Sequence, residues 1–242
     1  MAGETNAQGK ARTLVLVHGA WHGGWCWRRV SDLLEKKGHK VFTPTMTGLG
    51  ERCHLIDSKI NLATHIADVV NVIKWEGLND IVLVGHSYGG AVISGVAEQA
   101  GDAIGSIVFL DAFVPENGDS LATKAAQGTR DAIAAVLQKG ETTMKPISAA
   151  FFQVNKQDRA WVDRMCTPHP IATLTDKSVI TGARDRIAKK AYIRAKGYNS
   201  GPFDAAHEKA KAAGWRVYEM PCGHDAMVDM PDRLTEILLE VA

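Results

Sequence analysis

The pentapeptide Gly85-His86-Ser87-Tyr88-Gly89 is the segment whose residue types and spacing point most directly to chemistry. It follows a short apolar run at residues 81–84, typical of a buried strand, and precedes a helical pattern at residues 91–99. A strand–turn–helix bend presents the central serine hydroxyl at its tip, and glycines on both sides avoid collisions with neighbouring backbone. The pattern predicts that Ser87 is a nucleophile; an ordinary β–α turn is the alternative.

A serine hydroxyl needs a base before it can attack, and His224 is the histidine best placed for this role. It lies in residues 221–225, between the last predicted strand and the last predicted helix, so it follows the serine in chain order. His86 is an alternative base, and an ordinary surface position is the alternative for His224. His18 and His22 have the spacing of two zinc ligands, but they lack the accompanying glutamate, so we expect no metal.

The glycine-rich loop, defined here as residues 18–24, follows the first predicted strand. A loop in this place commonly supplies one of the two hydrogen-bond donors for the oxyanion that forms when a serine attacks a carbonyl. We expect the backbone amide of Ala20 to be this donor and the amide of Tyr88, directly after the serine, to be the other. Removal of one such donor typically costs about 3 kcal/mol of transition-state stabilisation.

Four motifs, LVHGAWHGGWCW, GHSYGG, LDAFVP and GHDAMVDMP, resemble the α/β-hydrolase branch that contains plant methylesterases, plant hydroxynitrile lyases and bacterial esterases. The resemblance covers residues 13–242 and is weakest across residues 112–190. Within the branch, the motif layout is most similar to bacterial esterases that hydrolyse the carbamate fungicide carbendazim, including a cysteine at position 26. The resemblance implies an α/β-hydrolase fold and a carboxylic ester hydrolase that uses no cofactor.

The acid that orients His224 is less clearly marked. The plant enzymes of this branch carry an aspartate shortly after the penultimate strand, but residues 196–200 of this chain contain no carboxylate. Asp111 ends the predicted strand at residues 106–110, where a buried carboxylate needs a partner, so we expect Asp111 to be the acid. Asp204, for which helix capping is the ordinary role, and the absence of any acid stay open as alternatives.

These residues predict a serine hydrolase that cleaves small carboxylic or carbamic esters through an acyl-enzyme on Ser87, an aromatic methyl carbamate such as carbendazim being one candidate substrate. A hydroxynitrile-lyase-like reaction is an alternative. The plant lyases place a lysine directly after the histidine, however, and this chain has Asp225 there. A ligand receptor without turnover is the second alternative.

Five residues near these motifs are predicted to line the substrate pocket, although core packing is an equally common use of such side chains. They are Trp21, Cys26, Phe113, Trp161 and His169. Cys26 and Cys222 would both lie near the site and could make it sensitive to soft metals or thiol reagents, with inert thiols as the alternative.

Apolar runs alternate with helical patterns and predict an α/β fold with a mostly parallel, doubly wound sheet. The predicted strands are residues 13–17, 40–42, 81–84, 106–110, 191–194 and 216–219, and the predicted helices are residues 27–37, 65–75, 91–99 and 232–241. Residues 112–190 are expected to form a helical cap, with helices at 121–128, 131–139 and 158–165 and a turn at 168–170. The core is then residues 13–111 and 191–242, after a disordered lead at residues 1–12.

Composition limits the class of protein. Among 242 residues, 45% are hydrophobic and 23% charged, which excludes disorder as the overall state. A net charge of +1 argues against nucleic acid or an anionic membrane as partner. The four cysteines form no CxxC pair and the first residues lack an apolar signal, so we expect free thiols and a cytoplasmic monomer or homodimer.

Overall fold

Six of the apolar runs form one parallel sheet in the computed structural model, which describes residues 11–242. The eight strands of the described chain are β1 (Thr13–Val17), β2 (Lys40–Phe42), β3 (Ile81–His86), β4 (Ile104–Leu110), β5 (Thr143–Met144), β6 (His169–Pro170), β7 (Lys189–Ala195) and β8 (Arg216–Met220). The sheet order is β2-β1-β3-β4-β7-β8, while β5 and β6 form a separate antiparallel pair. Side chains of β1, β3 and β4 are almost all buried, as expected for central strands covered on both faces.

Helices connect and cover these strands. The eleven α-helices of the described chain are α1 (Arg28–Lys36), α2 (Leu62–Trp75), α3 (Gly89–Ala100), α4 (Leu121–Lys124), α5 (Gln127–Gln138), α6 (Arg159–Met165), α7 (Ala172–Thr175), α8 (Ala183–Arg186), α9 (Gly201–Ala212), α10 (Ala226–Asp229) and α11 (Pro231–Val241). Helix α1 packs against α11, and α2 packs against α3.

The strand order reverses next to β1, because β2 lies on one side of β1 and β3 lies on the other. Open α/β sheets bind ligands at such a switch point, beyond the carboxyl ends of the strands. The glycine-rich loop follows β1 and Ser87 follows β3, so the topology brings both segments to this point of the sheet edge.

The predicted parallel sheet is confirmed, with each of its six predicted strands within two residues of the observed bounds. The segment between β4 and β7, here called the insertion (residues 111–188), differs in detail from the prediction. The predicted helix at residues 121–128 is broken at Ala125 and Ala126, where α4 ends before α5 begins. The predicted turn at residues 168–170 contains β6, since a proline is tolerated in a two-residue edge strand.

The predicted disordered lead falls mostly on residues 1–10, which lie outside the described residues. Among the described residues, no helix has both the length and the hydrophobicity to cross a bilayer. The insertion contacts the loops at the carboxyl edge of the sheet, where the amide of Thr167 donates to the Trp21 carbonyl over 2.9 Å.

Candidate active site

Ser87 lies at the tip of a sharp bend between β3 and α3. Its φ of 55° falls in the left-handed region, which a non-glycine residue adopts only where the surrounding structure enforces it. A Cβ added at Gly85 or at Gly89 would come within 2.7 Å of a backbone oxygen, so the bend requires both glycines. The Ser87 amide donates to the Leu110 carbonyl over 3.2 Å, which fixes the bend to the neighbouring strand β4.

Asp111 and His224 are in direct contact at this edge of the sheet. The Nδ1 atom of His224 lies 2.6 Å from Oδ2 of Asp111, and both side chains are buried. Asp111 follows β4 directly, with a φ of 42°, and its other oxygen accepts from the Ala195 amide over 3.1 Å. Since Nδ1–H donates to Asp111, Nε2 is the ring nitrogen that is left to exchange protons.

A buried cation stands behind this pair. Arg194, on β7, donates from Nη1 to Oδ1 of Asp111 over 2.8 Å and from Nε to Oδ1 of Asp204 over 2.9 Å. Burial opposes the charge of Arg194, but the charges and hydrogen bonds of Asp111 and Asp204 together outweigh burial and raise the pKa of the guanidinium. Every oxygen of the Asp111 carboxylate therefore has a donor, as a buried charge requires.

The alternatives for acid and base have other partners. Asp204, in the first turn of α9, contacts Arg194 and Lys196 and makes no described hydrogen bond to His224. His86 Nε2 lies 3.0 Å from the His224 carbonyl oxygen, so it is the protonated nitrogen of that ring. Burial and the neighbouring His224 lower the pKa of His86 well below its ordinary value. His86 therefore supports the backbone of His224.

Aromatic side chains fix the orientation of the His224 ring. Phe203 stacks on it at 5.3 Å and 9°, and Phe152 stacks at 5.3 Å and 27°. The His224 amide also donates to the Phe152 carbonyl over 2.9 Å, so the insertion holds both the ring and the backbone of this residue.

Ser87 and His224 line the same cavity, which has a volume of about 40 Å³. Ala20, Trp21 and Phe113 line it as well. Among the described residues, neither the Ala20 amide nor the Tyr88 amide donates to another protein group. The Tyr88 side chain is turned to His65, with 2.9 Å between its hydroxyl and Nδ1. Two unpaired amides close to a serine can stabilise an oxyanion.

Of the five residues predicted to line the substrate pocket, Trp21 and Phe113 line the cavity that contains Ser87, and the other three lie elsewhere. Cys26, Trp161 and His169 do not line the cavity that contains Ser87. Cys26 is buried in the core, and Trp161 packs edge-on against Trp25 with Arg29 over its face. His169 accepts a hydrogen bond from the Trp21 amide over 3.2 Å and contacts Thr173. It therefore binds the glycine-rich loop and does not line the pocket.

His18 and His22, the pair with zinc-ligand spacing, belong to no group of three or more potential metal ligands among residues 11–242. His18 uses Nδ1 toward the Gly19 carbonyl and accepts from the Met46 amide at Nε2. Burial lowers the pKa of His18 to about 3, so the ring is neutral. His22 contacts the Ala20 carbonyl and Asp225.

A larger cavity of about 340 Å³ adjoins the first one. Phe113, Leu121 and Pro202 line both cavities and form the wall between them. Four of the five charged side chains around the larger cavity form two ion pairs, Glu116 with Lys209 and Asp119 with Lys124. The fifth, Asp176, accepts a hydrogen bond from the Leu62 amide. The space is therefore suited to an uncharged, largely apolar group.

Sequence reasoning missed Arg194, His22 and Asp225 as parts of the site. A signal for Arg194 was available, since a charged residue within an apolar strand predicts a buried carboxylate partner. No local spacing could have paired His22 with Asp225, which are 203 residues apart in sequence.

Comparisons with known proteins agree with this fold. A sequence profile described as the Alpha/beta hydrolase family matches residues 14–237. The carbendazim hydrolyzing esterase of Nocardioides sp. (strain SG-4G) is 46% identical over 234 residues, which are 93% of this chain and 97% of that protein. A putative chloroplastic methylesterase of Arabidopsis thaliana is 26% identical over 94% of this chain and 63% of its own length. A solved extracellular alpha/beta-hydrolase from a Paenibacillus species, 26% identical, superposes with a TM-score of 0.84 over 96% of this chain and 99% of that chain.

Proposed function

The chain belongs to the Alpha/beta hydrolase family, and on that premise we propose that it is a carboxylic ester hydrolase acting on small carboxylic or carbamic esters through Ser87. The hydrogen bond of 2.6 Å between His224 and Asp111, with His224 and Ser87 on one cavity, is the observation that carries the proposal. This is the arrangement that a serine nucleophile needs, with a base beside it and an acid behind the base.

In the proposed reaction, Nε2 of His224 takes the proton from the Ser87 hydroxyl as its oxygen attacks the ester carbonyl. The amides of Ala20 and Tyr88 donate to the oxyanion of the tetrahedral intermediate. His224 then passes the proton to the departing alcohol, which leaves an acyl- or carbamoyl-enzyme on Ser87. A water molecule that gives its proton to His224 cleaves this ester and restores the serine. Asp111 keeps the imidazole in the required tautomer throughout.

The two cavities suggest how a substrate is divided. The cavity at Ser87, at about 40 Å³, has room for a group the size of an acetyl or methoxy group. An aromatic ring needs on the order of 150 Å³, which only the 340 Å³ cavity offers next to this site. We therefore propose that the small end of the ester lies at Ser87 and that its bulky end occupies the larger cavity past Leu121. The similar esterase named for carbendazim makes an aromatic methyl carbamate the first substrate to test.

Asp225 argues against the lyase alternative. The position after His224 holds a buried carboxylate that pairs with His22, so no ammonium group is available there to stabilise a departing cyanide. We further propose a cytoplasmic location, because all four cysteines are free thiols, as in reducing compartments. A monomer or a homodimer is the proposed assembly.

The proposal is tested by initial rates with p-nitrophenyl acetate and with carbendazim. We expect wild type to hydrolyse at least one of them, and Ser87→Ala to lower kcat/KM by at least about 10³-fold. Ser106→Ala is the matched control, because Ser106 is also buried but hydrogen bonds to the Val241 carbonyl near the chain end. Unchanged hydrolysis in Ser87→Ala would reject the proposed nucleophile, and mandelonitrile cleavage without ester hydrolysis would favour the lyase.

A further inference from the structure

His22 lies between the two loops that flank the site. It belongs to the glycine-rich loop, and its Nε2 atom lies 3.0 Å from Oδ2 of Asp225, in the loop at residues 221–225 that carries His224. Its Nδ1 atom lies 2.7 Å from the carbonyl oxygen of Ala20. Both His22 and Asp225 are buried, so water does not compete for these contacts.

The two contacts together define the protonation state of the ring. A backbone carbonyl only accepts hydrogen bonds, so Nδ1 of His22 must carry a proton. An ionised Asp225 also only accepts, so Nε2 must carry a proton as well, and the ring is an imidazolium. Burial disfavours the charge on His22, but the charge and hydrogen bond of Asp225 outweigh burial and raise the pKa of the ring. The same partner lowers the pKa of Asp225, although burial alone would raise it.

The surroundings of the pair favour a cation at His22. The Trp25 ring stacks on His22 at 5.2 Å and 20°, the geometry in which an aromatic face attracts a positive charge.

Around His22 lie the imidazoles of His18, His86 and His169. Around Asp225 lie His86, His224, Asp229 and the thiols of Cys26, Cys166 and Cys222. Burial lowers the pKa of the three imidazoles near His22 and raises that of the three thiols, so all six are neutral near pH 7.

We propose that His22 is a positioning residue whose imidazolium, held between the Ala20 carbonyl and the Asp225 carboxylate, fixes the glycine-rich loop relative to the loop that carries His224. This inference rests on the proposed function, because it assigns the oxyanion donor to Ala20. An oxyanion donor works only if it is held where charge develops, and small displacements of such groups cost large factors in rate. Loss of the proton from His22 leaves one of its two contacts without a donor and releases Ala20.

Kinetics of His22→Gln and Asp225→Asn test this role with p-nitrophenyl acetate. We expect each variant to lower kcat about 10- to 100-fold while KM changes by less than about 3-fold. Both single variants break the same contact, between His22 and Asp225. We therefore expect the double variant to be no slower than the slower single variant. His39→Gln is the control, since His39 precedes β2 at the opposite end of the sheet strands. Additive losses, or unchanged kcat in His22→Gln, would overturn the proposal.

The pH profile separates positioning from a general loss of stability. Wild-type kcat should fall on the alkaline side as the His22 imidazolium loses its proton, and this alkaline limb should be absent from His22→Gln. The same limb in wild type and variant would contradict the proposal.

Nitrogen-15 NMR of wild type reads the ring directly and needs no variant that folds. We expect both ring nitrogens of His22 to be protonated at pH 7. A neutral ring would overturn the proposal whether or not the protein hydrolyses esters, whereas an imidazolium in a protein without esterase activity would reject only the proposed function.

Discussion

His224 donates from Nδ1 to Asp111 over 2.6 Å and so joins the last loop of the chain to the end of β4. The carboxylate that contacts His224 therefore lies at the end of the strand next to β3, and residues 196–200 after β7 contain no carboxylate. The end of β7 supplies Arg194 in its place, which holds the opposite oxygen of the Asp111 carboxylate.

Asp111→Asn should lower kcat/KM for p-nitrophenyl acetate by about 10³- to 10⁴-fold, because an amide stabilises the wrong tautomer of His224 and cannot balance its positive charge. Asp204→Asn is the matched control and should change the rate less than about 3-fold, since Asp204 contacts Arg194 and not His224. Similar losses in the two variants would contradict the assignment of Asp111.

Arg194→Met should lower the free energy of unfolding by about 3–5 kcal/mol, because it leaves the buried Asp111 carboxylate without its cation. Asp204→Asn removes only the partly exposed partner of Arg194 and should cost about 1 kcal/mol or less. Urea unfolding followed by circular dichroism measures both. Equal costs would show that Arg194 does not serve the buried carboxylate.

The stability contributed by the His22–Asp225 pair should depend on pH in a defined direction. The pKa of Asp225 is lowered by folding, so its contribution is lost as pH falls below about 4, the ordinary range of an aspartate. The pKa of His22 is raised, so its contribution is complete below about 6.5 and is lost as pH rises through the raised value. The destabilisation caused by Asp225→Asn, measured by urea unfolding, should therefore be largest between about pH 5 and 6.5. A destabilisation that does not vary with pH would contradict the ion pair.

Leu121 should set the size of the substrate. Leu121→Ala opens the wall between the cavities and should raise the kcat/KM ratio of p-nitrophenyl hexanoate to p-nitrophenyl acetate by about 10-fold, while Leu121→Trp should lower it. Leu137→Ala, at an exposed leucine of α5, is the control. A ratio that is the same in all three variants would show that the larger cavity does not bind the substrate.

Thiol reagents should modify Cys53 first, because it is the exposed cysteine. Burial raises the pKa of Cys222 to about 12 and also raises that of Cys26 well above its ordinary value, so neither forms the reactive thiolate at neutral pH. Peptide mapping after iodoacetamide treatment should find Cys53 alkylated with esterase activity retained. Loss of activity together with labelling of Cys26 would contradict this and favour a thiol at the site.

The core of the fold could be predicted from sequence because buried parallel strands leave unbroken apolar runs between turn residues. Helix α9, whose start was expected near Asp204 from the capping role of that residue, begins at Gly201 and has Asp204 in its first turn. In the insertion, the break between α4 and α5 and the β5–β6 pairing depend on tertiary contacts that short-range patterns do not record.

In the candidate site too, residues that belong to a local sequence pattern could be predicted, whereas contacts that depend on tertiary structure could not. Ser87 has a motif in its proper context, and Asp111 was recognisable as a carboxylate at the end of an apolar strand. Trp161 and His169 were predicted to line the pocket because aromatic residues in an insertion often do so, but here they complete a wall of packed rings and a hydrogen-bond network. The roles of the site residues stay predictions that the variants above test.

Covalent trapping tests the central claim most directly. Wild type, Ser87→Ala and Ser106→Ala are incubated with diethyl p-nitrophenyl phosphate, which phosphorylates an activated serine, and the products are mapped by peptide mass spectrometry. We predict one diethylphosphoryl group per chain on Ser87 in wild type and Ser106→Ala, with release of one p-nitrophenol, and no adduct in Ser87→Ala. Ester hydrolysis by a protein whose Ser87 stays unmodified, or an adduct on another residue, would contradict the account.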